Sequence, residues 1–514
     1  MNINAVVSKI KQVICSAAFV RWAMLVGLLV LGLGIRLVDL TDPPLDFHPT
    51  RQLRAAIIAR GMYYEMAPAA DPLVSAQALQ LRAALESYEP QIFERLTALS
   101  YLVLGSETLW MARVFAILFW WLGGVFLFDL ARRMVSWEGG LAALAFYLLL
   151  PLAIEASRSF QPDPLVTFWI LITLWTAYRW NQARSWRWGL ATGAVAGVTL
   201  LIKITALFFI APAVTLLVVH MWSVPKALLR WEVWAALVLA VLLPSSYYVA
   251  QKGQSAMNYI EFWTGSFSNL WLEPAFYVQW LKTLDRLFNL ALLVAGFVSM
   301  ALFTTRGQRN AILSMWLGYG IYGLYFPYQI RTHEYYSLMF VPVVALSLAP
   351  LGQLLIHTLR TRPLFWRIVA AVAVLVGVAY PVWVAYTGLI GVNYATEAAA
   401  WRKMGEELPQ DGQIIALTHD YGYRISYFGW RQVHIWPTTD ELDMLAQRAT
   451  SSGSEAVNFE QVFLKRTQGI DYFLVTRFDQ LEAQSVLKTY LYEHFPVAAQ
   501  GDGYLLFDLR TSSP

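Results

Sequence analysis

The sequence predicts a polytopic, mainly α-helical membrane protein with a small α/β domain at its C-terminus. Its 514 residues are 58% hydrophobic and only 14% charged, whereas soluble domains carry about 25% charged residues. Apolar runs of about 20 residues, the length that a helix needs to cross a bilayer, follow one another along most of the chain. From residue 391 the composition becomes polar, and short β-rich runs alternate with helical patterns.

Eleven apolar runs are predicted to cross the membrane. Basic residues concentrate in alternate joints between these runs, as in Arg132 and Arg133 or Arg360 and Arg362. The positive-inside rule makes those joints cytoplasmic. We therefore expect a multi-pass protein of the cell (plasma) membrane with a cytoplasmic N-terminus and an extracytoplasmic C-terminal domain. The approximate limits of the spans are 18–38, 107–130, 138–154, 165–180, 188–205, 206–222, 232–250, 284–304, 310–328, 336–356 and 367–388.

Two domains are predicted, a transmembrane domain over 1–390 that includes a first outer loop at 39–106, and an α/β domain over 391–514. Apolar residues recur at helical spacing beside charged faces in 50–66 and 75–102, which predicts amphipathic helices at the membrane surface. The C-terminal domain has four predicted strands and three predicted helices, at Ile414–Thr418, Val433–Trp436, Tyr472–Thr476, Tyr504–Leu509, 438–449, 455–467 and 479–494.

Several functional classes find no support. The single cysteine, Cys15, excludes an internal disulfide framework. The net charge of +4 comes from basic residues spread along the chain, which gives no reason to expect a nucleic-acid partner. Neither a phosphate-binding GxxxxGK[ST] loop nor a strand followed by GxGxxG is present, so a soluble nucleotide donor is unsupported.

Ionisable residues near a bilayer are costly and therefore mark candidate sites. Pro43 and Pro44 stop helix propagation after the first span and should hold the following segment in a fixed turn. A carboxylate held there could act as a general base. Asp39 and Asp42 are explained more simply as residues that mark the end of a helix. The ionisable residues that follow the first span in the stretch RLVDLTDPPLDFHPTRQLR are Asp39, Asp42, Asp46, His48, Arg51 and Arg54.

Three further candidates lie in later joints. EASRSFQPDPLVTF places Arg158 and Asp163 between two spans, where Asp163 is a candidate both for capping the helix that begins near Pro164 and for a site, and the two roles do not exclude each other. Lys203 lies in the apolar stretch LLIKITALFF. A lysine there either binds an anion such as phosphate or extends its ammonium to the interface.

The joint YQIRTHEYYS offers His333, Glu334, Tyr335 and Tyr336. An interfacial aromatic belt with polar anchors explains this joint as well as a substrate site does. The His-Glu pair is too short to be a metal motif, since no second histidine stands at ligand spacing.

The stretch from LGSETLWMARVF to YLLLPLAIEASRSFQPDPLVTFWILITLWTAYRW resembles the polytopic GT-C glycosyltransferases, in particular the protein O-mannosyltransferase and aminoarabinose transferase group. The lysine of LLIKITALFF is similar to that group's LTKG-like element, although Ile204 and Thr205 replace its usual continuation, and RTHEYYSLMFVPVVAL is moderately similar. The C-terminal domain shows little similarity. The residues that fall at the group's signature positions are Gly105, Ser106, Glu107, Arg113, Pro151, Ser157, Arg158 and Asp163.

The resemblance implies transfer of a sugar from a polyprenyl-phosphate carrier to a lipid, glycan or protein acceptor on the outer side of the membrane, with inversion. The group usually carries an Asp-Glu pair in the first outer loop, where this chain reads DFHPTRQ. Asp46 is the nearest acidic match and His48 occupies the remaining place, so the base is Asp46 or His48. The second acidic role then falls to Asp163.

We expect the carrier phosphate to lie near Lys203 and Arg158, whose positive charges would stabilise it as the leaving group. No cofactor is required, although the outer carboxylates could hold a divalent metal. A transporter or flippase of lipid-linked saccharides is the alternative, and an inactive scaffold is a third. Transporters place polar groups near the bilayer midplane, whereas here they gather at one face. The other expected substrate-binding residues are Arg51, His333, Glu334, Tyr335 and Tyr336.

Overall fold

The computed structural model describes residues 17–67, 71–87, 89–250, 267–444 and 459–511. The chain forms two compact units. The membrane unit comprises Met1–Leu40, Ser87–Phe93 and Trp110–Val392, and the sheet unit comprises Thr41–Glu86, Glu94–Leu109 and Asn393–Pro514. Most of the first outer loop thus belongs to the same unit as the C-terminal segment.

The membrane unit is helical throughout its described part, and every predicted span coincides with helical structure. Within that described part, 3₁₀ turns interrupt the helices at Ile204–Ala206, Ser268–Leu272, Met300–Leu302 and Glu334–Phe340. The α-helices are Ala17–Arg36, Trp110–Met134, Trp137–Leu149, Pro151–Ala156, Pro162–Ala183, Trp186–Ile202, Leu207–Trp222, Val224–Leu228, Trp231–Ala250, Pro274–Phe288, Leu290–Ser299, Arg306–Tyr325, Pro327–Thr332, Val341–Arg360 and Leu364–Ile390.

Six of the described helices are long and apolar enough to cross a membrane alone. A seventh crossing results if the pair Pro274–Phe288 and Leu290–Leu302, bent by 87°, is one span. Two shorter apolar helices, Trp137–Leu149 and Trp186–Ile202, fall below that length. The polytopic helical fold class is confirmed, and the count of eleven spans stays a prediction.

The predicted span 138–154 is broken in the middle. Its first helix ends at Leu149, and Pro151 begins the next because proline lacks the N–H that a continuous helix requires. The buried guanidinium of Arg36, at the end of the first span, supplies hydrogen bonds on both sides of this break. It donates to the Ser157 hydroxyl at 2.6 Å and to the carbonyl oxygens of Gly32, Leu148 and Ala153.

The sheet unit contains a five-stranded mixed sheet of order β2-β1-β3-β5-β4. β1 is parallel to β2 and to β3, whereas β5 is antiparallel to β3 and to β4. The small α/β domain is thus confirmed, and β4 is a strand that the sequence pattern did not predict. The predicted helix 438–449 is described only as far as residue 444. The strands are β1 Ile414–Leu417, β2 His434–Ile435, β3 Tyr472–Val475, β4 Val497–Gly501 and β5 Tyr504–Asp508.

The predicted loop helices are present, the second of them as two helices. The first, Pro49–Met66, is buried along almost its whole length from Gln52 to Met62, and it packs against Pro72–Ala83 and Tyr423–Phe428 within the sheet unit. A helix so enclosed by protein differs from one that merely rests on a membrane surface. The described helices of the unit are Pro49–Met66, Pro72–Ala83, Ile92–Leu104, Ala395–Glu407, Tyr423–Phe428, Phe459–Thr467, Phe478–Ala483 and Ser485–His494.

Small residues allow a close helix contact in the membrane unit. A Cβ atom added at Gly193 would lie 2.4 Å from the Ala236 carbonyl oxygen, and one at Gly197 would lie 2.5 Å from that of Leu239. Helices Trp186–Ile202 and Trp231–Ala250 therefore approach at backbone distance, as small residues spaced by four permit in membranes.

This contact predicts that Gly193→Ala destabilises the protein although alanine is the better helix former. Because the new methyl meets backbone, relief requires separation of the helices, at a cost of about 1–3 kcal/mol. The melting temperature of the purified protein should fall. Gly377→Ala, in a helix where the added Cβ meets nothing within 4 Å, should leave it unchanged or raised, and equal effects of the two changes would contradict the close contact.

Candidate active site

A buried ion pair joins two helix ends in the membrane unit. Lys203 Nζ donates to Asp163 Oδ1 at 2.8 Å, and the two residues are 5% and 0% exposed. Lys203 follows the end of helix Trp186–Ile202 with an extended backbone, while Asp163 lies in the first turn of Pro162–Ala183. The lysine therefore binds a carboxylate inside the protein, so the interpretation that its ammonium extends to the interface is wrong.

The expectation that Asp163 caps a helix is also wrong. Helix Pro162–Ala183 has Gln161 at its N-cap, and Asp163 is already inside the first turn. Within the described residues its Oδ1 atom binds Lys203, whereas its buried Oδ2 atom has no hydrogen-bond partner. Asp163 thus retains one carboxylate oxygen for a ligand or a water molecule.

Two tyrosines surround the lysine. The Lys203 ammonium lies 5.9 Å from the ring centroid of Tyr335 and 5.6 Å from that of Tyr336, distances at which an aromatic face attracts a cation. Both rings are buried, which does not fit an interfacial aromatic belt. Lys203, Asp163, Tyr335 and Tyr336 thus form one cluster, which we call the lysine site.

The neighbouring residues of the same joint have other partners. Glu334 accepts a hydrogen bond from Arg286 Nη2 at 2.7 Å, and His333 Nδ1 lies 2.7 Å from the Thr332 hydroxyl. The His333 ring also packs beside Tyr335, with centroids 5.6 Å apart. His333 is therefore adjacent to the lysine site, whereas Glu334 forms a more exposed ion pair.

Arg158 is buried in the membrane unit and contacts the end of the first span. Its Nη2 atom donates to the Asp39 carbonyl oxygen at 2.8 Å. Arg113 Nη1 donates to the same oxygen at 3.3 Å and to that of Leu40 at 3.2 Å. Asp39 has a left-handed backbone, with φ of 51°, so these two arginines fix the point where the chain leaves the first helix.

In the sheet unit, Asp46 is an exposed carboxylate on a constrained turn. Its Oδ1 atom accepts hydrogen bonds from the Phe47 N–H at 2.9 Å and from Gln52 Nε2 at 3.1 Å. The turn before it is closed by the Leu45 N–H, which donates to the Pro43 carbonyl at 2.7 Å. The two prolines therefore have the effect that the sequence predicted.

His48 and Arg51 begin the helix that follows. His48 is the N-cap of Pro49–Met66, with a left-handed backbone of φ 49° and no side-chain capping bond. Arg51 lies in the first turn, close enough to Tyr423 to interact electrostatically with its phenol. Asp46, His48 and Arg51 are thus brought together along one short segment.

Asp42 has a definite hydrogen-bond partner, so its interpretation as a solvated residue that only marks a helix boundary is wrong. Its carboxylate accepts the Tyr394 backbone N–H at 3.0 and 3.3 Å, just before helix Ala395–Glu407 begins. Burial, Asp46, Glu397 and Asp42 together raise the pKa of the Tyr394 phenol. Asp42 and Asp46 therefore both face the start of the C-terminal segment.

Sequence reasoning missed Arg60, the most buried charged residue among those described in the sheet unit. Its Nε atom donates to both carboxylate oxygens of Glu107, at 3.1 and 3.0 Å, and its Nη1 atom donates to the Tyr427 carbonyl at 2.6 Å. The guanidinium lies 4.0 Å from the ring centroids of both Tyr427 and Trp430. We call these four residues the arginine clamp.

The clamp has clear electrostatic consequences. Burial lowers the pKa of Arg60, but Glu107 and Tyr427 more than restore it, so its net shift is upward. Burial and the Glu107 carboxylate raise the pKa of the Tyr427 phenol well above its usual value. Arg60 therefore stays charged, and Glu107, a signature position of the resemblance, has a structural partner.

The described residues include no group of three or more histidine, cysteine, aspartate or glutamate side chains arranged to hold a metal ion.

Comparison with known proteins gives matches to one structural class. Residues 89–248 match a family model described as dolichyl-phosphate-mannose-protein mannosyltransferase. A comparison with curated proteins found no match. Among solved structures, apo ArnT from Cupriavidus metallidurans aligns with a TM-score of 0.59 and 17% identity over 96% of this chain and 98% of that chain.

Two further structures agree. ArnT from Cupriavidus metallidurans bound to undecaprenyl phosphate aligns with a TM-score of 0.53 and 17% identity, over 94% of this chain and 97% of that chain. The Archaeoglobus fulgidus oligosaccharyltransferase tethered with an acceptor peptide aligns with a TM-score of 0.57 and 12% identity, over 96% and 74% of the two chains. The chain therefore has the GT-C fold of polytopic membrane proteins, and the predicted resemblance is confirmed. The segment that matches the mannosyltransferase family model contains Arg158, Asp163 and Lys203.

The arginine clamp predicts a strong asymmetry between single and double substitutions. Arg60→Met leaves the Glu107 carboxylate without its cation, and breaking such a buried pair typically costs about 3–5 kcal/mol. Arg60→Met combined with Glu107→Gln removes both charges and should recover part of that loss. The melting temperatures of the two purified variants test this, and a double variant no more stable than Arg60→Met would contradict the ion pair.

Proposed function

We propose that the protein is a membrane glycosyltransferase that transfers a sugar from a polyprenyl-phosphate-linked donor to an acceptor at the outer face of the cell membrane, with inversion. The observation that carries the proposal is the lysine site, a buried ammonium held between a carboxylate and two tyrosine rings in a chain with the GT-C fold. The structure of ArnT with undecaprenyl phosphate supports a lipid phosphate as its ligand.

Lys203 is suited to bind the donor phosphate. A lysine ammonium has three N–H donors, and Asp163 Oδ1 is its one hydrogen-bond acceptor among the described residues, which leaves two donors for phosphate oxygens. The hydrogen bond to Asp163 holds the ammonium in one position before the donor binds. In a site of low dielectric constant, that charge stabilises the phosphate strongly as it leaves the sugar.

Asp46 is suited to act as the general base. Its carboxylate is exposed, yet one oxygen is fixed by two hydrogen bonds. In the proposed step, an acceptor hydroxyl oxygen forms a bond to the anomeric carbon while the bond from that carbon to the phosphate oxygen breaks on the opposite face. The hydroxyl proton passes to Asp46, and the lipid phosphate leaves with the electron pair.

The remaining predicted residues take supporting roles in the proposal. Tyr335 and Tyr336 line the lysine site, His333 lies beside them, and Arg158 holds the end of the first span. Arg51 and His48 flank Asp46 along the chain. Since the scheme uses only side chains of this protein, we expect transfer to survive chelation of divalent cations. The orientation inferred from the basic joints places the acceptor outside the cytoplasm.

The first test distinguishes a phosphate site from a purely structural ion pair. Lys203→Met should weaken binding of undecaprenyl phosphate by about 10- to 100-fold, the usual worth of a hydrogen bond to a charged group. Asp163→Asn should lower the melting temperature of the unliganded protein, because it leaves a buried ammonium without its anion. Undecaprenyl phosphate should then stabilise Asp163→Asn more than the unmodified protein, since it supplies the missing charge.

The matched control is the double variant Asp163→Asn with Lys203→Met, which has no buried charge at this site. It should fold but gain no stability from undecaprenyl phosphate. If Lys203→Met binds undecaprenyl phosphate normally, the ion pair is structural and the phosphate site is misassigned.

The second test concerns the base. Asp46→Asn keeps the size of the side chain but removes its basicity, and loss of a general base lowers rates by about 100- to 10,000-fold. A strain that lacks the protein, supplied with this variant, should accumulate the lipid-linked sugar and lack the glycosylated product by mass spectrometry. Binding of undecaprenyl phosphate should be unchanged.

Asp42→Asn is the matched control, because it makes the same change four residues earlier and keeps an oxygen for the Tyr394 N–H. It should support normal product formation. Near-normal turnover of Asp46→Asn, with loss in His48→Gln or Asp163→Asn, would move the base to one of those residues. Product formation by the unmodified protein also separates a transferase from a flippase, which would move the lipid-linked sugar without consuming it.

A further inference from the structure

Gln52 is a fully buried amide beside the proposed base. It is 0% exposed, and its Nε2 atom donates to Asp46 Oδ1 at 3.1 Å and to the Phe47 carbonyl at 2.8 Å. A single amide group thus binds both the carboxylate of Asp46 and the backbone of the next residue. The sequence analysis did not predict a role for this glutamine.

The local backbone explains how Gln52 reaches Asp46. His48 has a left-handed conformation, which turns the chain back before Pro49 begins the helix. The Gln52 N–H joins the helix through the His48 carbonyl at 3.4 Å, so the side chain starts from the first turn and points toward the preceding segment. Phe47 is buried between Asp46 and His48, which fixes the segment that the amide holds.

The contacts also constrain the Asp46 carboxylate. Oδ1 accepts the Phe47 N–H and the Gln52 amide, and a carboxylate oxygen has two lone-pair sites for such bonds. A base must hold its geometry closely to act in the transition state.

We propose that Gln52 is a positioning residue for Asp46: through its hydrogen bond to Oδ1 it orients the carboxylate that receives the acceptor proton. This inference rests on the proposed function. Gln52 does not touch the substrate in this scheme, and it acts only through Asp46. The alternative is a purely structural role, in which Gln52 stabilises the turn through the Phe47 carbonyl.

The experiment compares Gln52→Met and Gln52→Glu, which keep the length of the side chain and remove the amide donor. The donor substrate is the lipid-linked sugar extracted from a strain that lacks the protein, and washed membranes of that strain supply the acceptor. We expect kcat to fall about 10- to 100-fold with KM for the donor unchanged.

Two controls separate positioning from stability. Gln77→Met removes another amide of the sheet unit that donates to a backbone carbonyl, that of Trp430 at 2.7 Å, and it should leave kcat unchanged. On the background of Asp46→Asn, Gln52→Met should cause no further loss of rate, since residues that act through one group are not additive.

Each outcome bears on a different part of the proposal. If the Gln52 variants only lower the melting temperature, with kcat unchanged, Gln52 has a structural role and the inference is wrong. If Asp46→Asn itself keeps near-normal turnover, the base assignment fails first. An additive further loss in the double variant would show that Gln52 acts independently of Asp46.

Discussion

The membrane unit depends on the cost of a charge inside an apolar environment. An ammonium or a carboxylate buried alone is too costly to persist, whereas a hydrogen-bonded pair is tolerated. Lys203 and Asp163 are 40 residues apart in sequence, and each lies where a helix starts or ends. Their pairing therefore requires the two helix ends to lie at the same level in the membrane unit. The tyrosines that flank the ammonium pack around this ion pair.

The positions of the helices in this unit could be predicted, because a helix that crosses a bilayer needs an apolar run of spanning length. The interruptions could not be predicted as readily. Lys203 offered two interpretations in sequence, since spacing along one chain does not show which residue of another helix faces it. Arg36 is a similar case: two of its acceptors are carbonyl oxygens at a helix break, and backbone groups leave no signature in composition.

In the sheet unit, local pattern was informative and long-range pairing was not. The buried strands β1, β3 and β5 were predicted from continuous apolar residues, whereas β4, Val497–Gly501, is an edge strand of mostly exposed small residues without clear alternation. Pro43 and Pro44 correctly indicated a fixed turn at Asp46. Gln52 and Arg60 looked like ordinary polar positions of an amphipathic helix, because their burial depends on residues far away in sequence.

The arginine clamp bears on how the protein is made. Its members come from residue 60, residue 107 and the segment 427–430, and the contact between Arg60 and Tyr427 spans 367 positions. Contacts of such long sequence separation form late and slow folding. During synthesis the first loop emerges long before its partners, so the nascent chain must keep a charged helix soluble until nearly all later spans have been inserted. A ribosome that stalls before residue 427 leaves this half-assembled unit exposed to proteases, which makes biogenesis a point of vulnerability separate from the stability of the finished protein.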